Sequence, residues 1–237
     1  MKRSVSDGKR RLDYILIRSR RHDVLLKALP GGETRVYAPG YLPLKEADAV
    51  VKGRMDELIE MHRRLEMQLK ENRLRHPVQE GSRICIEGQV YMLRRIPGSR
   101  VTLKLEDENC ILTLPEPDDE ASVRAALKQA LSRRALRRIR ERLDEYAPLL
   151  GVEFGRVAIR DQKSRWGSCS QKHNLNFNWK LIMAPPEALN YVVIHELCHL
   201  IEFNHSARFW SLVKSQMPEY EAWKKWLKAH GPELGVE

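Results

Sequence analysis

The chain has 237 residues, 42% of them apolar and 31% charged, which fits a folded protein with a sizeable core rather than a disordered or membrane-bound chain. No apolar run approaches the ~20 residues that span a bilayer, so no membrane association is expected. The net charge of +10 leaves contact with a polyanion open.

The first residues, through Lys9-Arg10-Arg11, are charged and lack a signal-type apolar stretch, which predicts a cytoplasmic protein. Residues 12–17, 24–29 and 34–37 are rich in β-branched and aromatic side chains and are separated by polar or Pro-Gly-Gly breaks. They predict a small meander of strands. From Leu44 to about Leu74, the three- and four-residue spacing of Leu58, Met61, Leu65 and Leu69 predicts one long helix, ended by Pro77. Four short strands follow over residues 82–86, 89–94, 101–105 and 110–114, with turns at Glu87-Gly88, Pro97-Gly98 and residues 107–109. His22, His62 and His76 stand among polar residues and read as surface groups.

Residues 115–120 punctuate the chain, which divides it into a β-rich region with a long helix (1–117) and a second domain (118–237). Asp118 and Asp119 suit the start of a helix that runs to about Tyr146 and is closed by Pro148 and Gly151. This helix carries the densest basic run, Arg133, Arg134, Arg137, Arg138, Arg140 and Arg142. Such a face suits a nucleic-acid contact, or equally a solvated surface offset by Glu141, Asp144 and Glu145. A strand over 156–161 and a hairpin of 165–170 with 175–179 come next. Pro185-Pro186 opens a helix that buries Leu189, Val192, Val193, Leu197 and Leu200 and continues toward Asn204, a residue that tolerates left-handed backbone. Ser206 caps a further helix bearing Phe209 and Trp210, and a last helix from Pro218 is stopped by Gly231-Pro232. No internal repeat is evident. The whole reads as an α+β fold.

The chemistry concentrates at His195-Glu196-Leu197-Cys198-His199. Positions i and i+4 of a helix share a face, so two imidazoles can meet one ion with Glu196 beside them. His205, just past the helix, supplies a third ligand if the chain turns back; Glu202, on nearly the same face as the two histidines, is the alternative. Three protein ligands and one open position describe a catalytic zinc, whose charge acidifies a bound water for Glu196 to deprotonate. The cysteines Cys85, Cys110, Cys169 and Cys198 lie far apart and show no C-x-x-C pairing, which predicts free thiols and one Zn2+ only.

The stretches 163–169 (Lys-Ser-Arg-Trp-Gly-Ser-Cys), Asn178-Trp179, the His195–His199 motif, Asn204-His205-Ser206 and Phe209-Trp210 resemble the YgjP-like zinc metallopeptidases, relatives of the SprT-like and gluzincin groups. The specific motifs cover about residues 155–227. The resemblance implies a minimal zincin-like domain with a small antiparallel sheet beside the active-site helix. It also implies His195, His199 and His205 as ligands, Glu196 as catalytic, and a polypeptide substrate paired to an edge strand, which we place in the 165–170 hairpin. Arg165 and Tyr191 are candidates for the oxyanion, or else structural. Asn190 stands where the family pattern has aspartate. Two other readings compete with a peptidase. Metal-activated water near Arg160, Lys163 and Arg165 suits a nucleotide phosphoanhydride, and the basic helix suits a nucleic-acid-associated protease or binding module.

Overall fold

A computed structural model describes residues 1–75, 78–115, 119–162 and 164–236; the sequence readings at His76, Pro77, Lys163 and 116–118 lie outside them. By contacts the chain forms two compact units, Met1–Arg75 and His76–Glu237.

In the first unit, β1 (Lys2–Ser6), β2 (Arg11–Ser19), β3 (Leu25–Ala28) and β4 (Thr34–Pro39) form a sheet in the order β1-β2-β4-β3. Alternation puts Val5, Tyr14, Leu16, Leu26, Val36 and Ala38 in one cluster with Ala47, Val51, Met55 and Leu58 of α1 (Leu44–Gly53) and α2 (Met55–Arg75). The order is not the expected meander, because β4 lies beside β2 and runs parallel to it. The expected single helix breaks at Arg54, whose backbone (φ −111°, ψ 22°) leaves helical space after Gly53, a residue that weakens helices. Thr34 is buried and shares a 2.8 Å hydrogen bond with His62 Nε2, so His62 has a structural partner rather than only solvent.

The second unit opens with β5 (Arg83–Ile86), β6 (Gln89–Pro97), β7 (Thr102–Glu106) and β8 (Asn109–Leu114), ordered β5-β6-β8-β7. The central pair is again parallel and the outer pairs antiparallel, and a helix again follows. The chain therefore repeats a ββββα topology that its sequence hides, since the two copies share alternation and little else. That helix, α3 (Glu120–Leu150), starts where Asp119 accepts a hydrogen bond from Ser122 N at 2.7 Å and ends at left-handed Gly151. Its Val123, Leu127, Leu131, Ile139 and Leu143 share one core with Ile84, Ile86, Leu93, Leu112 and Leu114. The expected boundary at 117/118 thus falls inside this unit.

On α3 also pack the tight helical turn Trp179–Met183, helix α4 (Pro186–Cys198), and β9 (Val157–Arg160). β9 belongs to a sheet ordered β10-β11-β9, with β10 (Gly167–Cys169) and β11 (Leu175–Asn178) forming the expected antiparallel hairpin. β9 runs parallel to β11, so the sheet is mixed rather than wholly antiparallel, with β9 and β10 on opposite sides of β11. Helices α5 (Ala207–Gln216) and α6 (Tyr220–His230) complete the unit.

The turn of the β5–β6 hairpin braces the start of α4. Glu87 and Gly88 both take positive φ (52° and 77°), Glu87 N donates to Ile182 O at 2.6 Å, and a Cβ on Gly88 would lie 3.1 Å from Pro185 Cα. The Glu87 carboxylate accepts from Arg134 at 2.6 Å and Arg138 at 2.8 Å. Burial works against its charge, but the hydrogen bonds from Arg138 and Arg134 prevail and hold its pKa below the ordinary value. Stability from this group is therefore present at neutral pH and lost as pH falls through the folded-state pKa. We expect Glu87→Gln to destabilise the unit by ~1–2 kcal/mol at pH 7 and by progressively less at acidic pH. Urea unfolding followed by tryptophan fluorescence measures this, since all five tryptophans lie in this unit. An equal loss at neutral and acidic pH would rule out the ion pair as the cause.

Candidate active site

Three histidines meet at the end of α4. His195 lies in its last turn and His199 caps it, with His199 N bonded to His195 O at 3.3 Å, so the two rings emerge on one face. The helix stops at Cys198, earlier than the apolar pattern implied, and residues 200–202 close as tight turns onto Leu197 O and Cys198 O. Asn204 does not take the left-handed conformation. Its Oδ1 accepts from Ser206 N at 3.0 Å, and Ser206 Oγ accepts from Phe209 N at 3.2 Å. This Asx turn followed by a helix cap brings His205 back toward α4.

One nitrogen from each of His195, His199 and His205 lies within 4.8 Å of the others. The Nε2 atoms of His195 and His205 are 3.1 Å apart, close to the roughly 3.3 Å expected of two nitrogens on one tetrahedral zinc at ~2.05 Å each. His199 Nδ1 lies 3.1 Å from Glu202 O; as a donor there it leaves Nε2 free for a cation, the usual orientation of a ligating histidine. His195 Nδ1 is buried with no such partner. Burial, and then the neighbouring imidazoles, push His195 down to about 3, and burial also lowers His199. Neutral imidazoles are what a metal ion requires. The donor set fits a transition-metal ion. Among the described residues the Glu202 carboxylate and Cys198 do not join the cluster; Glu202 contributes its backbone carbonyl instead.

Phe209 supports all three imidazoles, its ring centroid 4.9 Å from His195, 4.5 Å from His199 and 4.9 Å from His205. Trp210 stacks on His205 at 5.6 Å and Tyr220 on Trp210 at 5.3 Å. The sequence marked Phe209 and Trp210 as helix residues and as part of the resembling motif, but not as a support for the imidazoles; their spacing from His205 was the available signal.

Glu196 is 4% exposed, and its Oε2 has no hydrogen-bond partner. Gly167, on β10, lies directly against it: a Cβ there would be 2.4 Å from Glu196 Oε1. Burial raises the carboxyl to about 8, with the charge of Arg165 opposing the rise. Arg165 is exposed and within electrostatic reach of Glu196. Tyr191 is 7% exposed, with its ring edge-on to His195 at 5.8 Å and stacked on Tyr220 at 6.4 Å.

The motif residues around Arg165 fix the loop that delivers β10. Asn178 Nδ2 donates to Gln162 O at 2.7 Å and Arg165 O at 3.3 Å, Asn178 N donates to Trp166 O, and Trp179 Nε1 donates to Asp161 at 2.9 Å. Trp166 fits against Gly231, where a Cβ would come within 2.4 Å of its ring. A glycine on each side thus lets Trp166 and Gly167 approach their neighbours closely.

The basic residues of α3 do not form one open stripe. Arg134 and Arg138 pair with Glu87, Arg133 donates to Val101 O at 2.6 Å, and Arg137 lies 4.0 Å from Glu141. Arg160 donates to Asn176 at 3.2 Å, so it too is engaged in structure. Among the described residues no helix is long and apolar enough to cross a membrane.

The sequence model of the YgjP-like metallopeptidase domain matches residues 23–230. No curated protein matches. Among solved structures, the crystal structure of the metallopeptidase zymogen of Pyrococcus abyssi abylysin is 23% identical, with 38% of this chain and 93% of that one covered, at a TM-score of 0.36.

Proposed function

The chain belongs to the YgjP-like metallopeptidase-domain family, and from that premise we propose that it is a zinc-dependent peptidase with His195, His199 and His205 as ligands and Glu196 as general base. The observation that carries this reading is the convergence of three imidazoles within 4.8 Å beside one buried carboxylate. A bound zinc ion would supply Lewis acidity, acidifying a water and polarising the scissile carbonyl.

Glu196 takes the proton of the attacking water and returns it to the departing amine. Its burial gives the carboxylate the basicity this step needs, and Gly167 holds it in one orientation. Arg165, exposed and within electrostatic reach of Glu196, stabilises charge on the carbonyl oxygen. Tyr191, enclosed between His195 and Tyr220, positions the first ligand by packing. β10 pairs only with β11 among the described residues, so its outer edge can take an extended substrate by backbone pairing. The four free cysteines suit the reducing cytoplasm.

Metal analysis of protein purified without chelators tests the proposal together with cleavage of an unfolded polypeptide. About one zinc per chain and chelator-sensitive cleavage are expected, and His205→Ala should lose both. Failure to bind zinc, or zinc-loaded protein that leaves the polypeptide intact, would overturn it.

A further inference from the structure

We propose that the cleft between the outer edge of β7 and helix α3 is a docking site for an extended, acidic polypeptide segment. β7 ends its sheet and pairs only with β8 among the described residues, which leaves its other edge able to accept a strand. Beside it lies a cleft of about 260 Å³, with Val101 and Leu103 on the strand side and Ala130, Arg133, Arg134 and Arg137 on the helix side. Those four helix positions follow i, i+3, i+4, i+7 and form one face.

The charges in this cleft are not all neutralised within the protein. Arg134 is paired with Glu87 at 2.6 Å. Arg133, by contrast, has no carboxylate within 4.0 Å among the described residues, and its bond to Val101 O holds the guanidinium over the start of β7. The side chain of Arg137 is 63% exposed and touches Glu141 only at 4.0 Å. Two guanidiniums therefore flank an unpaired strand edge.

An added strand directs alternate side chains toward the face of the sheet that α3 covers. Carboxylates at those positions meet Arg133 and Arg137, where charge-assisted and bidentate hydrogen bonds are available. Leu103 and Ala130 give the intervening floor an apolar character. A nucleic acid fits less well: Glu87 withdraws Arg134 and Arg138 from any continuous basic stripe, and the far end of the hairpin carries Glu106, Asp107 and Glu108. The site is independent of the histidine cluster and stands whether or not the metal reading does.

The test is fluorescence anisotropy on the full chain with a labelled ten-residue peptide of alternating Thr and Glu, at low salt. Saturable binding is expected, insensitive to chelator, and weaker by about tenfold or more when Gln replaces Glu in the peptide. Arg133→Glu combined with Arg137→Glu should weaken binding at least as much with the urea midpoint unchanged. Arg137→Gln, a milder surface change, should weaken it several-fold. Absence of saturable binding, equal binding of the Gln peptide, or unchanged affinity in both variants would refute the proposal. So would displacement by a single-stranded oligonucleotide as effective as the acidic peptide itself.

Discussion

Glu196→Gln is expected to lower cleavage of an unfolded polypeptide by about 10²–10⁴-fold, the usual contribution of a general base. The amide keeps the shape of a side chain that is almost wholly enclosed, so zinc content should stay at the wild-type level. Steady-state kinetics beside metal analysis separate the two effects; a variant that loses zinc in proportion to activity would show that Glu196 acts through the ligands instead. The same substitution has a signature in the metal-free protein. Glu196 binds its proton more tightly folded, at about 8, than unfolded, so ionising it costs stability as pH rises from its unfolded value toward 8. Gln removes that cost. The melting temperature of the metal-free variant should exceed that of the metal-free wild type at pH 8 and approach it near pH 5.

The second large effect is expected from one methyl group. Gly167→Ala places a Cβ 2.4 Å from Glu196 Oε1 and 2.7 Å from Cγ, against a side chain that is only 4% exposed. Either β10 or the side chain must move. Overpacking of this kind costs roughly 1–3 kcal/mol, and a shift of about 1 Å at the base can cost ~10²-fold in rate. We expect kcat/KM to fall by about that factor while zinc remains bound. The stability loss should largely vanish in a Glu196→Ala background, where the clash is gone. If Gly167→Ala destabilises both backgrounds equally, its effect lies in the strand and not in the contact with Glu196.

The two histidines and the glutamate were legible because their arrangement is local: a helix repeats every 3.6 residues, and the pattern states the face. The return of His205 was legible as a requirement, but its means was not. The apolar run through Phe203 suggested a longer helix, whereas Asn204 and Ser206 turn the chain through side-chain hydrogen bonds. Most strand positions could be read from alternation, yet none of the three parallel pairs could, because β2–β4, β6–β8 and β9–β11 pairing depends on connections that local periodicity does not encode. The repeated topology escaped for the same reason. The arginine run read as a surface because its main partner, Glu87, is 47 residues from Arg134 and 51 from Arg138. Gly167 shows the limit most sharply: a glycine in a strand signals close approach, but only the folded chain identifies Glu196 as what approaches.

β10 is only three residues long. A peptide paired along it would gain few backbone hydrogen bonds, too few to pull a segment out of a stable fold. In the proposed reading, cleavage therefore depends less on the order of side chains in a target than on how often the target exposes a stretch of bare backbone. When opening and closing are fast, the rate follows the equilibrium fraction of the opened state. Such an enzyme would in effect measure the conformational stability of its substrates, cutting marginal proteins at rates that fall about tenfold for each ~1.4 kcal/mol of local stability they retain. The short strand would then spare well-folded neighbours without any separate device for recognising them.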